Sequence, residues 1–383
     1  MSRKLLDKNF CVIPWTGFEL EPNGNVKNCI ISKEKIGNIY QTSIQDIIKG
    51  NSKIRQDMLE GKYPSNCDGC YLQEKHRTKN FESISSRLYY AKEIGTSLSK
   101  ELLDSKDNFE LKHIDLRWSN ACNQACVYCS ADYSSKWAAE LGKKVPHNQQ
   151  SINRVKEYVF SNIKNLTNVY LAGGEPLLMK QNQEFLELLY KENPDVTLRV
   201  NTNLSKTDTK IFDQLCQFKN VHWTVSVETI EQEYEYVRHH GNWHDFLRNL
   251  NIIKKLPHRI SFNMLYFILN YKSIFNCVEY FQKQGFHNNS FVIGPLFTPL
   301  YLNILNLPKH IVDELIDILK NKINEKPGFL LENSYQNLLQ YLTETEFYAN
   351  IDNTQKELKK MDQRRNIDSS KVFPKLYAEA FNQ

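Results

Sequence analysis

Residues 120–130, NACNQACVYCS, hold three cysteines, Cys122, Cys126 and Cys129, in the spacing CxxxCxxC. Three thiolates do not close a metal site. On a four-iron cluster they leave one iron open to a ligand that is not protein. The preceding residues 111–118 (LKHIDLRW) alternate apolar and polar as a strand does, so the cysteines occupy the loop after a strand end. Active sites of barrel and doubly wound α/β folds lie at such strand ends. A zinc knuckle or three core thiols would use the same residue types, so the rest of the chain has to decide.

Some fifty residues on, 166–172 (LTNVYLA) reads as a second strand running into Gly173-Gly174-Glu175-Pro176. The glycines permit close backbone approach, and Glu175 can accept hydrogen bonds from an ammonium. With these two motifs in order, the chain resembles the radical S-adenosylmethionine (SAM) superfamily. The resemblance implies that Cys122, Cys126 and Cys129 hold a 4Fe-4S cluster whose open iron chelates SAM. It further implies that Tyr128 packs beside the SAM adenine and that Gly173, Gly174, Glu175 and Pro176 bind the SAM amino group. Asn203 lies past the third strand end. Ser226 and Glu228, past the fourth, stand where the family contacts the SAM ribose and carboxylate. Glu228 departs in type, since many relatives have aspartate followed by glycine there. Arg238 could pair with a carboxylate of SAM or of the substrate, and otherwise reads as a surface arginine.

Helical and strand patterns then alternate: helix 183–191 and strand 196–202, helix 208–218 and strand 221–227, helix 243–255 and strand 260–269, helix 273–283 and strand 290–293. Counted from the cysteine strand this gives six strands, and regular βα alternation argues for a parallel sheet with right-handed crossovers. The family resemblance specifies an α/β fold, a partial (β/α)6 TIM-like radical SAM barrel. Cys216 and Cys277 fall on helical stretches among apolar residues and read as core thiols. Helical patterns continue to about residue 362 without a catalytic motif.

The N-terminal region has its own cysteine grammar. Between Cys11 and Cys29, alternating residues flank the turn signal Pro22-Asn23-Gly24, so this stretch reads as a hairpin with a thiol on each arm. A helical stretch over 43–59 follows, then Cys67 and Cys70 as CxxC. Four thiolates hold either zinc or an iron–sulfur cluster, and spacing alone does not choose. The run of Cys11, Gly24, Cys29 and a later CxxC resembles the auxiliary-cluster module called SPASM, or twitch in its one-cluster form. That implies a second 4Fe-4S cluster on Cys11, Cys29, Cys67 and Cys70. In most relatives this module follows the barrel, whereas here it precedes it. The expected organisation is an auxiliary domain over 1–80, a helical connector over 81–107, the barrel over 108–296 and a helical C-terminal extension over 297–383.

The 383 residues suffice for a substantial core, and 41% apolar with 24% charged residues describe an ordinary globular protein. A net charge of +5 indicates no nucleic-acid partner, and the basic clusters at 254–259 and 356–365 read as solvated helix faces and ends. No apolar run approaches the roughly 18 residues of a membrane helix, and the N-terminus lacks a signal-peptide core. A cytoplasmic location is expected, where thiols serve metals. The function expected from the resemblance is reductive cleavage of SAM to a 5'-deoxyadenosyl radical that abstracts hydrogen from a substrate. A reductant such as ferredoxin or flavodoxin is the implied partner. The expected substrate is a peptide or protein, with a small sugar or nucleotide as the alternative. A non-catalytic iron–sulfur or zinc binding protein is the alternative of another class.

Overall fold

The computed structural model describes residues 9–75 and 86–381. The start of the expected connector, at Phe81, lies outside the described residues. The chain divides into two compact units. One comprises Met1–Ala121, Lys144–Asn201 and Asp208–His222, and the other Cys122–Lys143, Thr202–Thr207 and Trp223–Gln383. The strands are β1 (Gly17–Leu20), β2 (Asn25–Lys27), β3 (Gly37–Asn38), β4 (His113–Leu116), β5 (Asn168–Leu171), β6 (Thr197–Thr202), β7 (Val221–Ser226), β8 (Arg259–Tyr266) and β9 (Phe291–Pro295). From β4 to β9 every strand is separated from the next by at least one helix, which is the chain order of six βα repeats.

In the first unit the strand order is β3-β2-β1-β4-β5-β6. The hairpin β1–β2 is antiparallel, whereas β1 runs parallel to β4 with Glu19 opposite Asp115 and Leu20 opposite Leu116. The cysteine-rich segment therefore extends the same sheet as β4–β6. Along these strands the residues alternate cleanly. Ile114, Leu116, Val169, Leu171, Leu198 and Val200 are all buried, as are Val155 and Val159 of the helix Gln149–Ser161 and Phe185, Leu186 and Leu189 of the helix Lys180–Glu192. Amphipathic helices that bury one face beside an apolar sheet face supply the main stabilisation of such a layer.

The opposite face is polar. Glu19, Asp115, Tyr170 and Arg199 form one cross-strand row, and His113, Asn168 and Thr197 another. Arg117 binds Asp115 through two nitrogens at 3.0 and 2.9 Å and reaches Glu19 at 3.0 Å, while Glu21 pairs with Lys27 at 2.9 Å. Buried charges persist only when paired in this way. Even so, burial and the neighbouring Asp115 push the Glu19 carboxyl up to about 7.

In the second unit β8 and β9 are parallel from Phe262 opposite Phe291 to Tyr266 opposite Pro295. Phe262 stacks on Phe281 and Phe291 at 4.5 and 5.4 Å between centroids. The helix Phe329–Glu344 packs on β9, with Ile293 N donating to Ser334 Oγ at 3.0 Å, and the helix Lys309–Asn324 packs on it in turn.

Several expected boundaries move. The helical stretch at 43–59 is two helices, Ile44–Gly50 and Ser52–Leu59, broken at Asn51, whose side chain bonds Asn28 at 2.5 Å instead of facing solvent. The polar stretch after the cysteine loop contains the short helix Ser135–Glu140, capped by Ser134. The thiols of Cys11 and Cys29 are not on hairpin arms. Cys11 precedes a helical turn, Ile13–Thr16, that Pro14 starts, and Cys29 lies beyond the end of β2.

Arg55, 1% exposed, ties this unit together by donating to Pro14 O at 3.0 Å, Ile48 O at 3.1 Å and Lys106 O. Replacing it by alanine removes a buried guanidinium and its bonds to three carbonyls, so Arg55→Ala is expected to cost about 3 to 5 kcal/mol. Urea unfolding measures this, and a loss below about 1 kcal/mol would refute the role.

Candidate cluster and cofactor site

The cysteine loop has almost no secondary structure of its own, so its backbone groups are satisfied from elsewhere. Trp137 Nε1 donates to Cys126 O at 2.7 Å, and Ser134 Oγ to Gln124 O at 2.5 Å. Ser135 Oγ donates to Cys122 O at 2.9 Å and accepts from Cys122 N at 3.1 Å. Ala125 N and Val127 N donate to His239 O and Val237 O at 2.9 and 2.8 Å. Arg365, from the helix Ile351–Arg365, donates to Ala125 O at 2.9 Å, lies 4.5 Å over the Trp137 ring and pairs with Glu140 at 3.0 Å.

Donors surround the sulfurs. Asn203 Nδ2 is 3.8 Å from Cys122 Sγ, and Arg238 Nη1 is 3.9 Å from Cys126 Sγ. Burial raises the Cys126 thiol, with the Arg238 charge opposing it, and pushes the Cys129 thiol up to about 12. Metal binding displaces such protons. Gln124 Oε1 lies 3.7 Å from Cys126 Sγ, and the same side chain faces the Tyr234 hydroxyl. The side-chain donors Asn203 Nδ2 and Arg238 Nη1, aimed at two of the three sulfurs, fit thiolates, the form that binds metal.

Glu228 and Arg238 are 1% and 3% exposed and bind each other through two bonds of 2.9 and 2.7 Å. Tyr128 donates its hydroxyl to Glu228 at 3.0 Å, and its ring meets Phe267 edge-on at 5.7 Å. Arg238 is thus a buried partner of Glu228 and no surface arginine. Ser226 is half-buried at the end of β7.

In the first unit, Gly173 has a φ of +110° and Gly174 lies against the residue before Cys122: a Cβ on Gly174 would sit 2.2 Å from Ala121 O. Glu175 N donates to Ala121 O at 2.7 Å, and Glu175 Oε1 accepts from Leu177 N at 3.2 Å, so the turn before Pro176 caps its own short helix. This explains the glycine pair as a matter of space as well as conformation.

Cys11, Cys29, Cys67 and Cys70 line one cavity of about 380 Å³, counted to open solvent, together with Tyr71, Arg87 and Tyr90. Burial pushes Cys29 and Cys67 up to about 12, and the sulfurs raise one another. Opposing this, backbone N–H groups of Ile31 and Ser32 face Cys29. Four thiols facing one cavity are a donor set that an iron–sulfur cluster can use. Arg87, buried, binds Glu74 at 3.0 and 2.5 Å and Phe10 O at 2.9 Å beside this cavity. Sequence reasoning missed Arg365 and Arg87, whose carbonyl partners Ala125 and Phe10 lie 240 and 77 residues away.

The model of the radical SAM superfamily matches residues 116–281, and that of the SPASM iron–sulfur cluster-binding domain matches residues 11–71. The chain therefore carries a radical SAM domain, with a SPASM domain preceding it. Iron–sulfur clusters of the 4Fe-4S type and SAM are the cofactors of this class. Among curated proteins it is similar to the GTP 3',8-cyclase of Nautilia profundicola, 31% identical over 103 residues, covering 25% of this chain and 30% of the relative. It is also similar to that of Sulfurimonas denitrificans, 23% identical over 192 residues, covering 48% and 56%. The chain thus spans less than two thirds of either relative. Among solved structures, anSMEcpe with bound AdoMet is 18% identical over 56% of this chain and 60% of that one, with a TM-score of 0.42. SuiB of Streptococcus suis bound to S-adenosylmethionine is 15% identical over 62% and 59%, with a TM-score of 0.39.

Gly174→Ala is expected to lower stability by about 1 to 3 kcal/mol, because the methyl meets backbone. Gly50→Ala, with nothing within 4 Å of its added Cβ, is the control in the same urea titration. Equal behaviour of the two would refute the packing role.

Proposed function

We propose that this protein is a radical SAM enzyme acting on a peptide or protein, with Cys122, Cys126 and Cys129 as ligands of the SAM-binding cluster. The donors at the sulfurs carry the reading: Asn203 Nδ2 and Arg238 Nη1 lie 3.8 and 3.9 Å from Cys122 Sγ and Cys126 Sγ, a set that suits thiolates. When bound, a 4Fe-4S cluster with an open iron supplies one electron to SAM, whose sulfonium C–S bond breaks to give the 5'-deoxyadenosyl radical. The chain's part is to hold the loop through Trp137, Ser134 and Ser135, to direct N–H groups of Arg238 and Asn203 at sulfur, and to keep the surroundings dry. Gly173, Gly174, Glu175 and Pro176 form the turn assigned to the SAM amino group. Glu228 and Arg238 act together, as a neutral pair beside Tyr128. Cys11, Cys29, Cys67 and Cys70 hold a second, coordinatively closed 4Fe-4S cluster in the module over 1–80, ahead of the connector, the barrel over 108–296 and the C-terminal extension. A ferredoxin or flavodoxin would supply electrons in a cytoplasmic setting. No helix of the described residues is long and apolar enough to cross a membrane.

The SPASM match supports the peptide, because relatives with this module modify peptides. Similarity to GTP 3',8-cyclases over nearly half the chain favours a second reading, a nucleotide substrate.

Anaerobic reconstitution is expected to give about eight irons per chain, and 5'-deoxyadenosine on addition of SAM and a strong reductant. Exchanging Cys122, Cys126 and Cys129 for alanine should leave about four irons and no SAM cleavage. Exchanging the four N-terminal cysteines should also leave about four while SAM cleavage persists. A fully loaded protein that does not cleave SAM would favour the non-catalytic binding reading.

A further inference from the structure

The polar face of β4–β6 opens at the strand starts into a cavity of about 330 Å³, counted to open solvent, within the first unit. His113, Tyr170, Arg199 and His222 line it, and Tyr89 and Tyr90 of the helix Ser86–Glu93 wall it. None of these residues belongs to the machinery assigned above, although Tyr90 also lines the four-cysteine cavity.

Three cations, Arg117, Lys27 and Arg199, share this face with three carboxylates, and the ion pairs leave Arg199 out. Arg117 takes both Asp115 and Glu19, and Lys27 takes Glu21. Among the described residues Arg199 pairs with no carboxylate, and its guanidinium lies 5.3 Å from the Tyr89 ring centroid. Beside it His113 is 4% exposed, and its Nδ1 has no hydrogen-bond partner. Its ring packs 4.4 Å from Tyr90. Burial and the Arg199 charge push this imidazole down to about 3, so it is neutral and adds no positive charge. Register sets Tyr170 directly opposite Arg199, which places a phenol beside the guanidinium. Arg199 is half-buried and keeps its fork open to the cavity, and the buried ring nitrogen of His113 without a partner is costly unless a ligand or water completes it.

We propose that this cavity binds the side-chain carboxylate of an acidic residue in the peptide substrate, with Arg199 and Tyr170 as its donors. The proposal rests on the peptide reading above and narrows it. A guanidinium outside any ion pair presents the planar fork that a carboxylate matches. A phosphate dianion would bring twice the negative charge beside the buried Asp115 and Glu19. The shared Tyr90 would put the anchored residue one ring away from the auxiliary-cluster cavity.

The test uses the reconstituted full chain and equilibrium binding by saturation-transfer NMR, with N-acetylglutamate amide, N-acetylglutamine amide and inorganic phosphate as probes. The glutamate probe is expected to bind about tenfold more tightly than the glutamine probe. Arg199→Gln should abolish that preference, and Tyr170→Phe should reduce it severalfold. Thermal unfolding of each variant reports its fold, and if Arg199→Gln unfolds, Tyr170→Phe decides. Equal binding of the two amides, a preference that survives the substitutions, or phosphate as the tightest probe would each overturn the proposal. Because no turnover is read, a protein that prefers glutamate but cannot cleave SAM would sink the enzymatic reading alone. One that cleaves SAM without the preference would sink only this site.

Discussion

A sulfur anion in a dry pocket needs donors close by, and the arrangement around Cys126 meets that need with an unusual partner. Arg238 is held by Glu228 through two bonds and so brings its N–H groups without a net charge. An isolated buried guanidinium would be costly, and an isolated buried carboxylate equally so. Joined, they form a rigid dipole whose positive end lies 3.9 Å from the sulfur. Hydrogen bonds to cluster sulfurs are among the factors that set reduction potential. Much of the second unit serves this geometry, since Tyr128, Asn270 and the backbone of residues 237–239 each bond either to Glu228 or to the cysteine loop.

The first unit solves a different problem. A cysteine-rich segment of some sixty residues has little apolar surface with which to fold alone. Here it borrows a core by adding β1 to the edge of β4, so the row of buried alternates begun by Phe18 and Leu20 continues through Ile114 and Leu116. The same pairing extends the polar face from Glu19 to Arg199. One set of backbone hydrogen bonds therefore organises both the support of the four-thiol cavity and the charged surface beside it.

The cluster loop and the glycine turn were legible because each is a short run with a chemical reason for every residue. The alternation that makes β4 legible in LKHIDLRW is equally present in NVYL and TLRVNT, so the polar face could have been read from the chain. That Arg199 makes no ion pair among the described residues could not, because pairing depends on which strands are neighbours and in what register. The parallel partnership of β1 with β4 was hidden for a similar reason: it joins short strands some ninety residues apart, and nothing local announces it. Arg238 was singled out as a carboxylate partner, but its own Glu228 lies only ten residues away and occupies it. Cys11 is off the hairpin arm because Pro14 helps start a helical turn just after it, and Cys29 because β2 ends at Lys27.

The hydrogen bond from Arg365 to Ala125 spans 240 residues of sequence. During synthesis at about 5 to 20 residues per second, the cysteine loop leaves the ribosome long before its clamp exists. Until then Ala125 O lacks this donor and Trp137 lacks the cation that covers it. The hydrogen-bond set that holds the loop is therefore complete only once residue 365 has been made, and the last contact to close on it comes from a segment translated 240 residues later.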